Sequence, residues 1–324
     1  MRPAWLVVIV VILTACAPVV RLDPPAWQAP LGREHPLTGR VWDVAAARFI
    51  DAGALPPRLA RARFVLLGEK HDNPDHHHLQ ATLVRAIAAA GRRPAVAFEM
   101  LDTAQAPALA RHLAASPRDA AGLGDAVGWK DSGWPRWPLY EPIAQAALDA
   151  GLPILPANLP STIVSAVARG NASALPASLV TAHELNRPLP NQTQADMAVE
   201  IRDAHCGHAN ERMVANMISA QRARDAHMAE TLLTAPGDGA ILIAGSGHVR
   251  QDRGAPIYIR ARQPTATIAT VAFVEVQPKA TNATDYAARF GATSLPFDYV
   301  WFTPRMDDND PCETFRRSLE RLRR

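Results

Sequence analysis

Four short apolar runs, each ending on a polar or ionisable side chain, limit what this chain can fold into. "RFVLLG" runs into Glu69, "PAVAF" into Glu99, "LPILPA" into Asn158, and "AILIAG" into Ser246-Gly247-His248. Each is of strand length, and near-continuous apolar character belongs to strands covered on both faces. Helical patterns lie between them. Asn73 can cap a helix that has Pro74 at its first position and Asp75 in its first turn; it runs to about Ala90 and stops at Gly91. "PIAQAALDAG" is a second, and "NERMVANMISAQRARDAHMAETLLTA", residues 210–235, is a long third. This alternation predicts an α/β fold with a largely parallel central sheet flanked by helices, carrying helical and loop insertions, over a single domain spanning residues 39–324.

Parallel strands bring their C-terminal ends to one edge, where such sheets bind ligands. Glu69, His71, Glu99, Asn158 and His248 should therefore share that edge. Any one of them can simply bond a turn, but as a set they point to a site. The "HHH" of residues 76–78 is less of a metal motif than it looks. Successive helical residues are about 100° apart, so the three imidazoles fan out and cannot hold one ion together. The apolar stripe Leu79, Leu83, Ile87 leads back to His76, which is expected to face inward beside Glu69 and His71. His77 should flank the group and His78 should be exposed. On the long helix, Met217, Gln221, Arg224 and Met228 form one stripe with Asp225 beside it. A buried Gln and Arg require partners, and Glu69 and Glu99 are the carboxylates expected to serve.

Residues 128–142, "GWKDSGWPRWPLYEP", hold Trp129, Trp134, Trp137 and Tyr140, in a chain with only 7 Trp and 4 Tyr. A loop of this kind either packs as glue or walls a pocket for a flat aromatic ligand. "RDAHCGHAN" sets His205, Cys206 and His208 just before the long helix, with no second cluster at zinc-finger spacing. Cys206 and Cys312 can pair in an exported chain or remain free thiols, and spacing leaves both open.

At the N-terminus, Arg2 precedes the apolar run "AWLVVIVVIL", too short to span a bilayer comfortably but suited to a signal-peptide core. It ends in "LTAC", small residues before a Cys that resemble a bacterial lipobox. On that reading residues 1–15 are removed, Cys16 is lipidated, and residues 16–38 form a Pro-rich tether; the alternative is an ordinary secretory signal with an accidental Cys. Ala17 is not the Asp that would signal inner-membrane retention, which favours the outer membrane. A net charge of +3 without a basic-aromatic repeat argues against nucleic acid as a partner.

Taken in order, "LLGEKHDNPDHHHLQ", "FEM", "WPLYEP", "HCGH", "QRARDAHMA", "GSGHVRQDRGAP" and "FDYVWFTPRMDDNDPC" resemble the ChaN-like haem-binding uptake lipoproteins of the Tiki/erythromycin-esterase superfamily, over residues 40–312. The resemblance implies a lipid-anchored, periplasm-facing protein of the bacterial cell envelope that serves haem or iron uptake and meets haem-transport components. It implies a homodimer around two non-covalent b-type haems stacked face to face, each iron held by a Tyr and assisted by a His of the other subunit. The candidate Tyr is Tyr140, with Tyr258 as fallback and Tyr286 and Tyr299 behind them; His205 and His208 are the assisting candidates. Trp137 would cover the porphyrin and Arg136 would answer a propionate. A phenolate is a hard anionic oxygen suited to ferric iron, and nearby donors would lower its pKa. Hydrolases of the same superfamily share the "GEKH" and "GSGHV" segments. The resemblance therefore also implies an alternative, a metal-dependent hydrolase in which His71 or His248 activates water with support from Glu69 and Glu99. Those residues can equally be an inherited structural network.

Overall fold

The computed structural model describes residues 26–310 together with 312, 313, 316 and 320. The expected signal peptide and Cys16 lie outside the described residues. The strands are β1 (Val41–Asp43), β2 (Arg48–Ile50), β3 (Phe64–Glu69), β4 (Ala95–Asp102), β5 (Ile154–Asn158), β6 (Ala240–Gly245), β7 (Ile268–Glu275) and β8 (Tyr299–Thr303). The helices are α1 (Leu55–Leu59), α2 (Pro74–Ala89), α3 (Ala106–Ala115), α4 (Ala120–Ala126), α5 (Glu141–Asp149), α6 (Ser161–Ala168), α7 (Ala177–Ala182), α8 (Asn191–Ala204), α9 (Glu211–Leu233) and α10 (Ala255–Arg262).

The strands form one sheet in the order β2-β1-β8-β7-β3-β6-β4-β5. From β8 to β5 every neighbouring pair is parallel, and the short β1 and β2 close the other edge antiparallel. This is the expected α/β fold with an antiparallel margin. The central strands β3 and β6 are buried at every residue, as their apolar runs require. Side chains still alternate across the sheet. Val65 and Leu67 pack with Leu79, Leu83 and Ile87 of α2 and Ile143 of α5. Phe64 and Leu66 pack on the opposite face with Ala226 and Leu232 of α9 and Ile259 of α10.

Local signals set the elements that carry the site. The Asn73 side chain accepts from the Asp75 backbone N–H at 3.0 Å and caps α2, with Pro74 at its first position. The Glu69–Gly245 register places the ends of β3 and β6 side by side. Gly68 lets the loop after β6 cross β3: a Cβ there would lie 2.4 Å from Val249 Cγ2 and 3.0 Å from Ser246 Cα. β4 continues past Glu99 to Asp102, because its pairing with β5 shifts between Phe98 and Asp102. The tether boundary needs correction. Asp75 accepts the backbone N–H groups of Gln28 and Ala29 at 2.8 and 3.0 Å, and Ala29 and Leu37 are buried. Residues 28–38 are therefore docked on the domain.

Cys206 and Cys312 form a disulfide, Cα–Cα 5.5 Å, across 106 positions of sequence. It pins the C-terminal segment to the turn between α8 and α9. Among the described residues no helix is long and apolar enough to cross a membrane.

Candidate functional site

The expected strand-end residues do meet, in two linked groups. In the first, Glu69 at the end of β3 is buried and His71 Nδ1 lies 2.9 Å from its Oε1. Tyr140 donates its hydroxyl to the same oxygen at 3.0 Å. His77 Nε2 is 3.2 Å from Glu69 Oε2, but the pair lacks hydrogen-bond geometry, and both atoms are buried without a hydrogen bond. Burial alone would raise the Glu69 carboxyl; His77 and His71 overcome it and bring it down to about 2. For His71, burial works against the charge, but Glu69 and Glu99 raise its pKa overall. Its ring packs against Trp134 at 4.8 Å between centroids and keeps a third of its surface open.

The second group surrounds Glu99 on β4. Arg224 of α9 makes a short contact from Nη2 to Glu99 Oε1. Glu99 Oε2 accepts the Gly245 backbone N–H at 2.7 Å, and His248 Nε2 stands 3.3 Å from Oε1. The other His248 nitrogen, Nδ1, is 2.6 Å from Asp225 Oδ1, and the Gln221 carboxamide lies 3.0 Å from it. Burial disfavours charge on His248, yet Glu99 and Asp225 push it up to about 9, so the ring is an imidazolium at neutral pH. Burial would raise Glu99 as well, but His248 and Arg224 hold it well below the usual carboxylate range. The Asn158 side chain completes the group, donating to the Glu99 carbonyl at 3.0 Å while its Oδ1 faces Arg224 Nε at 3.3 Å. Both groups border one open cavity of about 440 Å³, together with Trp134 and Arg250. Among the described residues no three His, Cys, Asp or Glu side chains are grouped to hold a metal ion.

Several sequence expectations change here. His78 is exposed as expected, and His76 is buried. His76, however, accepts the Lys70 N–H at Nδ1 (2.9 Å) and bonds Thr303 Oγ1 through Nε2 (2.8 Å), so it ties α2 to β8. It is His77, one helical step round, that meets Glu69. Gln221 finds His248 where a carboxylate was expected.

Tyr140 does not fit the role of an iron ligand in this arrangement. It is fully buried, with its ring 4.3 Å from that of His77 and its hydroxyl committed to Glu69. Burial first, and the Glu69 carboxylate second, raise its phenol well above the ordinary value, the opposite of what a phenolate needs. Tyr258 is also buried, on α10, near Arg222. Trp137 is structural: its indole donates to the Ala120 carbonyl at 2.9 Å and packs edge-on to Trp129. Arg136 is exposed and lines none of the cavities that border the strand ends.

A second, more apolar cleft opens beside these groups, between α8 and α9. Val164, Met197, Ile201, Met217, Gln221, Arg224, His205 and Arg253 line it, and its volume is about 320 Å³, within the ~300–1,000 Å³ common for small-molecule sites. His205 Nδ1 is 2.7 Å from the Ile201 carbonyl oxygen. A carbonyl only accepts, so Nδ1 carries the proton and the Nε2 lone pair is left for another partner. Met217, Gln221 and Arg224 are the stripe read from α9. Arg253, Glu200 and Met197 were not singled out in the sequence, because no period or motif links residues so far apart along the chain. His208 lies on the exposed turn that follows.

A family model described as haem-binding uptake, Tiki superfamily, ChaN matches residues 55–259. Among solved structures, the chain is similar to ChaN of Campylobacter jejuni, a protein described as binding haem cofacially. Identity is 22%, covering 81% of this chain and 95% of that one, with a TM-score of 0.63; the two share a fold. It is more distantly similar to the type III effector HopBA1, with 11% identity over 87% of this chain and 100% of that one, TM-score 0.44. A mutant of the erythromycin esterase EreC in its open conformation gives 12% identity over 80% of this chain and 94% of that one, TM-score 0.43. No curated protein matches the chain. With more than half of its length matched by that model, the chain belongs to the ChaN haem-binding uptake family of the Tiki superfamily.

Proposed function

We propose that this chain is a lipid-anchored haem-binding protein of the bacterial cell envelope, serving haem or iron uptake, and that haem enters the cleft between α8 and α9. The observation that carries the reading is the composition of that cleft. Its apolar walls (Val164, Met197, Ile201, Met217) suit a porphyrin face, and His205 offers an imidazole whose tautomer is already set by Ile201. A backbone carbonyl on Nδ1 is the usual way a protein orients an iron-binding imidazole and raises its basicity. In this reading His205 takes the role for which the family resemblance made Tyr140 the candidate, and the haem is held non-covalently. On the same reading a haem seated in the cleft shows one face outward. A second copy of the chain would cover that face, in line with the cofacial haem binding described for the Campylobacter relative. The lipobox-like "LTAC" supports the anchor, on the outer membrane and facing the periplasm.

Titrating haemin into the mature chain should give a saturable Soret shift. Met217→Arg, which puts a charge against the porphyrin face, should abolish it while leaving the fold intact. Unchanged saturation in that variant would remove the cleft as the binding site.

One observation favours a second reading, hydrolysis at the strand ends. Glu69 orients His71, and His71 and the imidazolium of His248 border the same open cavity. His71 would be the base for water and His248 a donor to the developing oxyanion. Loss of a measured ester hydrolysis in His71→Ala would support it; a rate indistinguishable from wild type would remove it.

A further inference from the structure

Two arginines reach the α8–α9 cleft, and they differ in what they can give up. Arg224 is shared between Glu99 and Asn158, both buried. Turning it towards a ligand would strand a buried carboxylate, which is costly. Arg253, on the loop before α10, is itself more than nine-tenths buried, and its partner among the described residues is Glu200 of α8 through one nitrogen, Nη2. Glu200 is different from Glu99: about half of its side chain is exposed. It can leave Arg253 and be solvated at once.

We infer that Arg253 is the anchor for a carboxylate on the ligand, and that Glu200 occupies its place until the ligand arrives. This rests on the haem reading above and adds to it the residue that recognises the ligand's acidic edge. A guanidinium has five N–H donors in a planar fork that matches a carboxylate two bonds at a time. Among the described residues Glu200 engages only one nitrogen of the fork, and Arg253 borders the cleft. A buried cation must keep a counter-charge, so exchange of one carboxylate for another conserves the pairing. The geometry also ties anchor to iron site: Glu200 and His205 both border the cleft, on α8 and the turn that ends it. The ligand class this selects is a flat apolar ring with a peripheral carboxylate, as in a tetrapyrrole that bears propionates.

The test compares haemin with its dimethyl ester, in which both carboxylates are blocked, by Soret titration of the mature chain. Wild type should prefer haemin by about tenfold to a hundredfold, the usual worth of a charge-assisted hydrogen bond. Arg253→Gln should reduce that preference to near unity while leaving affinity for the ester unchanged, and Arg253→Lys should retain part of it. Glu200→Gln keeps the size and polarity of a half-exposed side chain but removes the competing charge; it should tighten haemin binding several-fold and leave the ester alone. Wild-type preference in Arg253→Gln, or no selective gain for haemin in Glu200→Gln, would overturn the assignment alone. If neither ligand gives a saturable shift with wild type, the haem reading falls and takes this assignment with it.

Discussion

Tyr140→Phe separates the site read from the sequence from the site in the structure. The phenol hydroxyl donates to Glu69 Oε1 at 3.0 Å and also lies 3.3 Å from the His71 carbonyl oxygen. Removing it deletes a hydrogen bond to a buried carboxylate, worth about 1.5–3 kcal/mol. The ring contacts remain: His77 at 4.3 Å and Trp129 at 5.1 Å between centroids. Glu69 Oε1 also keeps His71 Nδ1 at 2.9 Å, so the oxygen is not left bare. The expected loss is therefore about 2 kcal/mol, near the middle of the range for such a bond. Urea denaturation of wild type and variant should show a lower midpoint with an unchanged slope. The Soret band of the haemin complex should not move, because the hydroxyl faces Glu69 and not the cleft. A variant as stable as wild type, or a Soret band altered as on loss of an iron ligand, would refute this account of Tyr140.

Three further outcomes follow from the same geometry. The folded-state pKa of His248, about 9, lies above the ordinary value of 6.5. Its stabilisation is therefore complete below pH 6.5 and is lost as pH rises through 9; the shift corresponds to roughly 3 kcal/mol at ~1.4 kcal/mol per unit. Thermal melts between pH 6 and 10 should show this decline, and Asp225→Asn should flatten it. Reducing the Cys206–Cys312 disulfide releases a loop of 106 residues, which costs about 4–5 kcal/mol in the chain-entropy model, and calorimetry with and without reductant reads it. Gly68→Ala should cost about 1–3 kcal/mol by overpacking, since its Cβ would meet Val249 Cγ2 at 2.4 Å; an unchanged melting temperature would refute that crowding.

The parts of the molecule that announced themselves are those where one physical demand dominates a stretch of sequence. β3 and β6 must be apolar at every position because both faces are covered, and so they read as strands. Glu69, Glu99 and His248 then fall together because parallel strands share an edge. Helix α2 was legible from Asn73 and Pro74, whose chemistry belongs to a helix start. β1 and β2 are only three residues each, too short to show a period. The antiparallel margin they form depends on pairing with β8, far along the chain. The choice between His76 and His77 turns on one step of about 100°; the apolar stripe correctly turned His76 inward, but towards Thr303. Tyr140 misled for another reason: an aromatic residue in a Trp-rich loop gives no sign of whether its hydroxyl meets a ligand or a buried carboxylate. Arg253 and Glu200 are 53 positions apart, and only the folded cleft brings them together.

The most direct measurement is the absorption spectrum of the haemin complex of His205→Ala beside that of wild type, each titrated to saturation. The account predicts that wild type saturates with a shifted Soret band, and that the variant binds more weakly with the band displaced by loss of the imidazole. Superimposable spectra and affinities, or a wild-type chain that never saturates, would contradict it.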